Sequence, residues 1–427
     1  MAVKALTIIV SGQILKLVLS LVLQILIARY LLPEGRGVYG ICIASASILL
    51  IATFLGNEYG IRYLLAWKKI TSLQAFWYLL VTAAISLVAS IVLIWLTAIF
   101  DFRIAENVTY LQLSLAILLA FSQLITTQLN VFMTINGKYL EASAFAVGEE
   151  VIKLALVSLM LAYNATVELA LVSIIFGNII TSILAIIHNR YYLCDLGGIR
   201  LQDIAFIYRY GFRSFWLNLA NVSNTHLGTL ILSGLMPADR VGIYNIAFGL
   251  ISRVQVIPDS LNRILVPESI GSNDGKSKLK MIRVSVSGLL VLSIIVLAAF
   301  GMLYEPIIIL MFGAGYADVG PIALYLLIGF LFKVIGKPIE AHFNEIAGKP
   351  IIIAMIQVFG VMVMAVFTYL GAGYFGLPGA AIGSAIAIAI SAMVLLVVYA
   401  KSTRQTLSEL FDFRSLSNAV MQIRAGK

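Results

Sequence analysis

Lys16, Arg29, Arg62, Arg253, Arg263, Lys333 and Lys337 lie within or at the edges of long apolar runs of this sequence. A cation in such a run gives up hydration, so its presence marks a functional position or a buried ion pair. Lysine and arginine each offer positive charge and several donors, the chemistry that suits phosphate oxygens. Arg253 falls roughly 18 Å into its run at about 1.5 Å per residue, too deep to snorkel to the surface. Lys16 is similarly deep. These two lead the candidates for binding an anionic group, followed by Lys333 and Lys337. Arg62 and Arg263 lie nearer one end of their runs and Arg29 nearer the other, where anchoring at a membrane interface is the competing reading.

Carboxylates accompany the cations. Glu149, Glu150 and Asp259 are candidates for a proton- or sodium-coupling site. A plain ion pair is the alternative, because Glu149 and Lys153, like Glu58 and Arg62, stand at i,i+4 spacing. Asn218, Asn221 and Thr225 recur at helical spacing and form a polar stripe, with His226 beside it. Such a stripe hydrogen-bonds sugar hydroxyls or packs helix against helix. His226 binds phosphate when protonated, relays a proton, or stays neutral and hydrogen-bonded. The sequence has no phosphate-binding G-x-x-x-x-G-K-[ST] loop and no H-E-x-x-H or paired C-x-x-C pattern, so neither nucleotide hydrolysis nor zinc chemistry is expected. No cofactor is expected.

The elements that position these groups are membrane helices. Of 427 residues 61% are hydrophobic and 11% charged, and the mean hydropathy is +1.02. A soluble domain carries about 25% charged residues. Twelve runs are long enough to cross a ~30 Å hydrocarbon layer. They cover roughly 5–31, 38–65, 76–99, 109–133, 142–163, 168–188, 212–235, 241–266, 284–304, 319–346, 350–371 and 378–400. With both termini in the cytoplasm, the lysines and arginines outside the runs sort to the inner loops and tail, leaving Arg36, Arg103 and Arg240 outside. That asymmetry is the positive-inside pattern, and it explains the net charge of +9 without nucleic-acid binding. No cleavable signal peptide is expected. Cys42 and Cys194 give no disulfide framework and read as structural.

The chain repeats. Pro33, Gly37, Val38 and Tyr39 are echoed by Pro237, Gly242, Ile243 and Tyr244, and FMTINGK (132–138) by FNEIAGK (343–349). The expected division is a six-helix bundle over 1–188, a connecting segment at 189–211 and a second bundle over 212–400. A tail at 401–427 follows, amphipathic by the spacing of Leu407, Leu410, Phe411, Leu416, Val420 and Ile423. LQDIAFIYRY in the connecting segment reads likewise as an amphipathic piece along the inner membrane surface. Six spans per copy make the repeat parallel, with a central cleft between the copies as the expected site. Within IARYLLPEGRGVYG (27–40), Pro33 and Gly35 are expected to end one helix and Gly37 to open the next. Glu34 and Arg36 should be solvated at the tip.

That stretch resembles the junction of spans one and two in polysaccharide flippases of the multidrug/oligosaccharidyl-lipid/polysaccharide exporter superfamily, whose usual form is close to A-R-x-L-G-P-E-x-x-G. Leu32 stands here where that glycine is common. MFGAGYADVGPIALYLLIG (311–329) and GYFGLPGAAIGSAIA (373–387) resemble the family's entries to spans ten and twelve. The resemblance implies two pseudo-symmetric six-helix bundles, with spans one, two, seven and eight walling the cleft. It further implies a flippase of the Wzx type in a bacterial inner membrane. Such a protein carries undecaprenyl-pyrophosphate-linked oligosaccharide, an O-antigen or other repeat unit, from the inner to the outer leaflet by alternating access. On that reading Arg253, Lys16, Lys333, Lys337, Arg29, Arg62, Arg263, His226 and Asn221 face the pyrophosphate and glycan. Membrane lipids, and a polysaccharide polymerase with its chain-length machinery, are the expected partners. An ion-coupled multidrug antiporter of the same fold is the alternative; a membrane polymerase or ligase is disfavoured by the short outer loops.

Overall fold

The computed structural model describes residues 2–67, 69–99, 108–190, 200–262 and 275–412, which are helical with short connections. The helices are α1 (Ala2–Phe54), α2 (Asn57–Ala66), α3 (Ser72–Ile99), α4 (Tyr110–Ile135), α5 (Tyr139–Tyr163), α6 (Val167–His188), α7 (Leu201–Ser233), α8 (Ala238–Ser252), α9 (256–262), α10 (Gly275–Phe312), α11 (Val319–Ala341) and α12 (Pro350–Thr403).

Two helices are too long for one crossing. At about 1.5 Å per residue the 54 residues of α12 extend roughly 80 Å. Each long helix is two spans joined at a kink. In α1 the break is Leu32 (φ 58°, ψ 176°), followed by Pro33; in α12 it is Gly376 (φ 65°, ψ −148°), two residues before Pro378. Proline disfavours helical geometry in the residue before it, and its lack of an N–H suits the first turn of the helix that follows. The expected turn is thereby corrected. Leu32 alone leaves helical geometry, and Gly35 and Gly37 lie inside the second segment of α1.

Eight helical stretches among the described residues are long and apolar enough to cross a membrane. Counting α1 and α12 twice, and adding the charge-bearing α5 and polar α7, recovers the twelve expected spans. The second span is itself interrupted: Leu55 (φ 52°) and Gly56 (φ 70°) separate α1 from α2. Residues 201–211 of the expected connecting segment are the first three turns of α7, continuous with the seventh span for 33 residues.

The chain divides into two compact units, Met1–Gly242 and Ile243–Lys427. In the first, α1, α4, α5 and α6 close around Leu23, Ile27, Tyr39, Cys42, Leu119 and Leu171. The start of α7 packs on α2 through a second core of Ile61, Leu64, Phe76, Phe132 and Ile207. Tyr78 donates to Asp203 at 2.6 Å and accepts from the Arg200 N–H at 3.0 Å, fixing the first turn of α7 to α3. In the second unit, Ile282, Ile339, Phe343, Leu395 and Tyr399 form a core that takes in Leu410 of the tail. The tail residues Leu416, Val420 and Ile423, like Cys194, lie outside the described residues. Large apolar side chains such as Trp95, Leu159, Met302 and Leu310 are exposed, as a lipid-facing surface requires.

Candidate functional site

Lys16 sits where α1 crosses α5. Its Nζ lies 3.7 Å from Glu149 Oε2 and 3.8 Å from Glu150 Oε1. Lys153 bonds Glu149 from one turn further along α5. The stem of Lys153 runs against Gly177 of α6, where an added Cβ would stand 2.7 Å from Lys153 Cγ. Four charges therefore form one balanced cluster among three helices. Within it the Lys153 side chain is 8% exposed and that of Lys16 is 40% exposed. Of the two readings open for Lys16, a functional cation or an ion pair, the geometry shows the ion pair: burial of two carboxylates demands both lysines.

A second balanced cluster lies in the other unit. Lys337 Nζ of α11 is 3.1 Å from Glu340 Oε2 and 3.6 Å from Asp259 Oδ1 of α9. Asn262 Nδ2 donates to the Lys337 carbonyl at 3.1 Å, tying the same two helices. Lys333, one turn back, holds its ammonium 5.8 Å from the centre of the Phe330 ring. The clusters are not repeat-related, since one joins spans one and five and the other spans eight and ten. Arg253 is where α8 gives way to a short 3₁₀ turn, and its Nη1 donates to the Gly249 carbonyl at 2.8 Å. The eighth span thus tightens to a 3₁₀ turn at its own arginine and continues into α9.

Arg62 is exposed, with its guanidinium 5.8 Å from the Tyr59 ring, and among the described residues no ion pair joins it to Glu58. Arg29 is exposed near the Leu32 kink. Arg263 lies outside the described residues. Arg36 is the clearest reversal. Expected in water, it is 5% exposed, donates to Gln24 Oε1 at 2.6 Å and stacks 4.9 Å from the Tyr39 ring. The break at Leu32 turns the start of the second segment back against the first, which brings Arg36 onto Gln24. Glu34 stays exposed, as expected.

The α7 stripe gains a counterpart on α1. Gln13, Lys16, Ser20 and Gln24 precede Asn218, Asn221, Thr225 and Thr229 by 205 residues each, the spacing that relates Gly37 to Gly242 and Tyr39 to Tyr244. Helices α1 and α7 pack together within the first unit. Toward the kink the stripes are closed: Gln24 holds Arg36, and Thr229 is 1% exposed. Toward the helix starts they are open, with Gln13, Asn221 and Thr225 exposed and Lys16 partly so. Thr225 donates to the Asn221 carbonyl at 3.2 Å, and Asn218 Oδ1 accepts from Tyr59 at 3.3 Å. His226 is half-buried beside the stripe. In the sequence the α7 stripe and Lys16 stand apart; the 205-residue repeat spacing applied to α1 is the signal that joins them.

The repeated stretches themselves meet. A Cβ on Gly37 would stand 1.7 Å from the Ala238 carbonyl oxygen, and one on Gly242 would stand 2.2 Å from the Pro33 carbonyl oxygen.

Comparison with known proteins places this architecture. The family described as "Polysaccharide biosynthesis protein" matches residues 26–321. A Shigella flexneri protein that carries the name O-antigen transporter is 26% identical over 249 residues, 56% of this chain and 57% of that protein. The match thus spans somewhat over half of the relative's length. Among solved structures, the lipid II flippase MurJ in an inward closed conformation aligns with a TM-score of 0.70 at 14% identity, covering 98% of this chain and 91% of that one. An inward-facing multidrug resistance transporter of the MATE family aligns with a TM-score of 0.69 at 15% identity, covering 92% and 95%. Those structures share the fold. By the family model that spans most of its length, the chain belongs to the polysaccharide biosynthesis protein family, as a multi-pass membrane protein with the fold of the multidrug/oligosaccharidyl-lipid/polysaccharide exporters.

Proposed function

We propose that this transporter moves an oligosaccharide carried on undecaprenyl pyrophosphate from the inner to the outer leaflet of a bacterial cytoplasmic membrane, with both termini inside. The cargo is an O-antigen or related surface-polysaccharide repeat unit, handed on to a polymerase and its chain-length machinery. The observation that carries this reading is the pair of open stripes on α1 and α7. Equivalent positions hold Lys16 on one helix and Asn221 on the other, so one track offers a cation and the other amide and hydroxyl groups. A pyrophosphate wants the first and sugar hydroxyls want the second. Lys333 and Arg253 supply further positive charge in the second unit, Lys333 beside the Phe330 ring and Arg253 on the Gly249 carbonyl.

The antiporter reading asks for carboxylates ready to receive a cationic drug. Each of Glu149, Glu150, Asp259 and Glu340 already lies within 4.0 Å of a lysine. A cation entering there would have to displace a lysine. The test is a reconstituted assay in vesicles with defined pyrophosphate-linked glycans, run with and without proton and sodium gradients. Appearance of the glycan in the opposite leaflet supports the proposal. Efflux of cationic drugs by vesicles that leave the glycan in place would replace it with the antiporter.

A further inference from the structure

The balanced cluster at Lys16 has a consequence for what travels with the cargo. Resting on the pyrophosphate reading above, we infer that an anionic headgroup binding Lys16 draws a proton into the Glu149–Glu150 pair, so that cargo and proton load together.

Two carboxylates, the side chains of Glu149 and Glu150 being 12% and 9% exposed, face two ammonium groups. Lys153 is buried and committed to Glu149. Lys16 is the accessible cation, and it touches one oxygen of each glutamate at the long end of ion-pair distance, 3.7 and 3.8 Å. An incoming phosphate reaches Lys16 first and binds it with stronger, charge-assisted bonds. Once Lys16 turns to the phosphate, two adjacent carboxylates share only Lys153, with a new anion nearby. Two like charges that close cannot both stay ionised in a site of low polarity. The pair then takes one proton from water onto a carboxylate oxygen, and Glu150, whose ion pair within 4.0 Å is to Lys16 while Lys153 pairs with Glu149, is the receiving side. No covalent bond forms or breaks in the cargo.

The surrounding groups leave this the available response. Along α1, beyond the kink, Tyr39 lies under Arg36, and Cys42 is buried in the apolar core. Helix α6 presents Gly177 to Lys153, and its titratable residues Glu168 and His188 sit near its two ends on Gln112 and Glu141. Helix α4 contributes Tyr110 at its first turn. Helix α7, packed on α1, adds the half-buried His226 beside its stripe; among the described residues the ion pairs to the two glutamates come from Lys16 and Lys153.

The experiment titrates the full-length protein in lipid nanodiscs with farnesyl pyrophosphate, a soluble probe for the shared headgroup, by calorimetry in buffers of differing ionisation heat. Wild type should take up about one proton more per probe than Glu150→Gln, after the same probe ionisation is common to both. Lys16→Gln should weaken binding about tenfold or more. Equal proton numbers in wild type, Glu149→Gln and Glu150→Gln, with Lys16→Gln still weakened, overturn the coupling and leave the pyrophosphate reading standing. Unchanged binding in Lys16→Gln removes Lys16 from that reading itself. Infrared difference spectra of the wild type need no variant: a carboxylic acid C=O band should appear when the probe is added, and its absence overturns the inference.

Discussion

Gly37 and Gly242 occupy equivalent places in the two copies of the repeat, and each is the point where the other copy's backbone passes. Gly37 meets the Ala238 carbonyl and Gly242 meets the Pro33 carbonyl, so the contact is reciprocal. A local two-fold relation produces such an exchange, in which residue i touches j and the equivalent of j touches the equivalent of i. The stretch that looked like a solvated turn in the sequence is one strand of this crossing.

Alanine at either glycine must push two helix backbones apart. Overpacking of this kind destabilises by about 1–3 kcal/mol. Gly37→Ala and Gly242→Ala should each lower the thermal unfolding midpoint in detergent. The double variant should lose less than the sum, because the first methyl already opens the gap the second one needs. Strict additivity would mean the two residues do not share one contact.

Leu32 adopts φ 58° and ψ 176°, a backbone conformation that is nearly confined to glycine. Its side chain is 63% exposed, so little packing would be lost on removing it. Leu32→Gly should stabilise the protein by about 1 kcal/mol, the strain relieved being partly offset by the greater freedom of glycine when unfolded. Leu32→Val, β-branched at the same backbone angles, should destabilise. Both are read from unfolding midpoints measured side by side.

Much of this fold was legible because apolar run length sets span length, and proline and glycine mark the joints. The twelve spans emerged that way, with a joint expected between spans one and two as a turn rather than as the single-residue kink at Leu32. Side-chain direction was not legible. Arg36 reads as solvated because it neighbours Glu34, but a single non-helical residue turns it onto Gln24, twelve residues back. Lys16 and Glu149 are more than a hundred residues apart, and nothing local says that α1 crosses α5 there. A count of basic against acidic residues therefore overstated the free positive charge. The pairing that cancels it is tertiary. The internal repeat holds part of that tertiary information, since the 205-residue spacing aligns Lys16 with Asn221.

Glu141 lies just ahead of the fifth span and receives His188 Nε2 at 2.8 Å and Lys138 Nζ at 3.4 Å. The hydrogen bond from His188, against a smaller opposing effect of burial and with help from Lys138, holds its carboxyl below the usual carboxylate range. A carboxyl with a lowered folded-state pKa stabilises the protein above its unfolded value, about 4.3, and loses that stabilisation as pH falls through the lowered value. The group is partly exposed, so the contribution should stay below about 1 kcal/mol. Glu141→Gln should lower the unfolding midpoint slightly at pH 6 and converge with wild type on the acid side. A gap that widens on acidification would reverse the assigned sign.

Asn221 and Thr225 separate the sugar end of the proposed cargo from its phosphate end. Both are exposed on α7, and their side chains support little: Thr225 bonds its own helix, one turn back. Asn221→Ala with Thr225→Val should therefore leave the unfolding midpoint nearly unchanged, within about 0.5 kcal/mol of stability. If the α7 stripe hydrogen-bonds the glycan, the same double variant should slow flipping of a pyrophosphate-linked oligosaccharide about tenfold or more, at roughly 1 kcal/mol for each bond lost. A polyprenyl pyrophosphate without sugars should bind it as tightly as it binds wild type. Lys16→Gln should give the opposite pattern, weakening both ligands alike. Equal losses for the sugar-free ligand in the α7 variant would show that both stripes read the headgroup, and would remove the division of labour between Lys16 and Asn221.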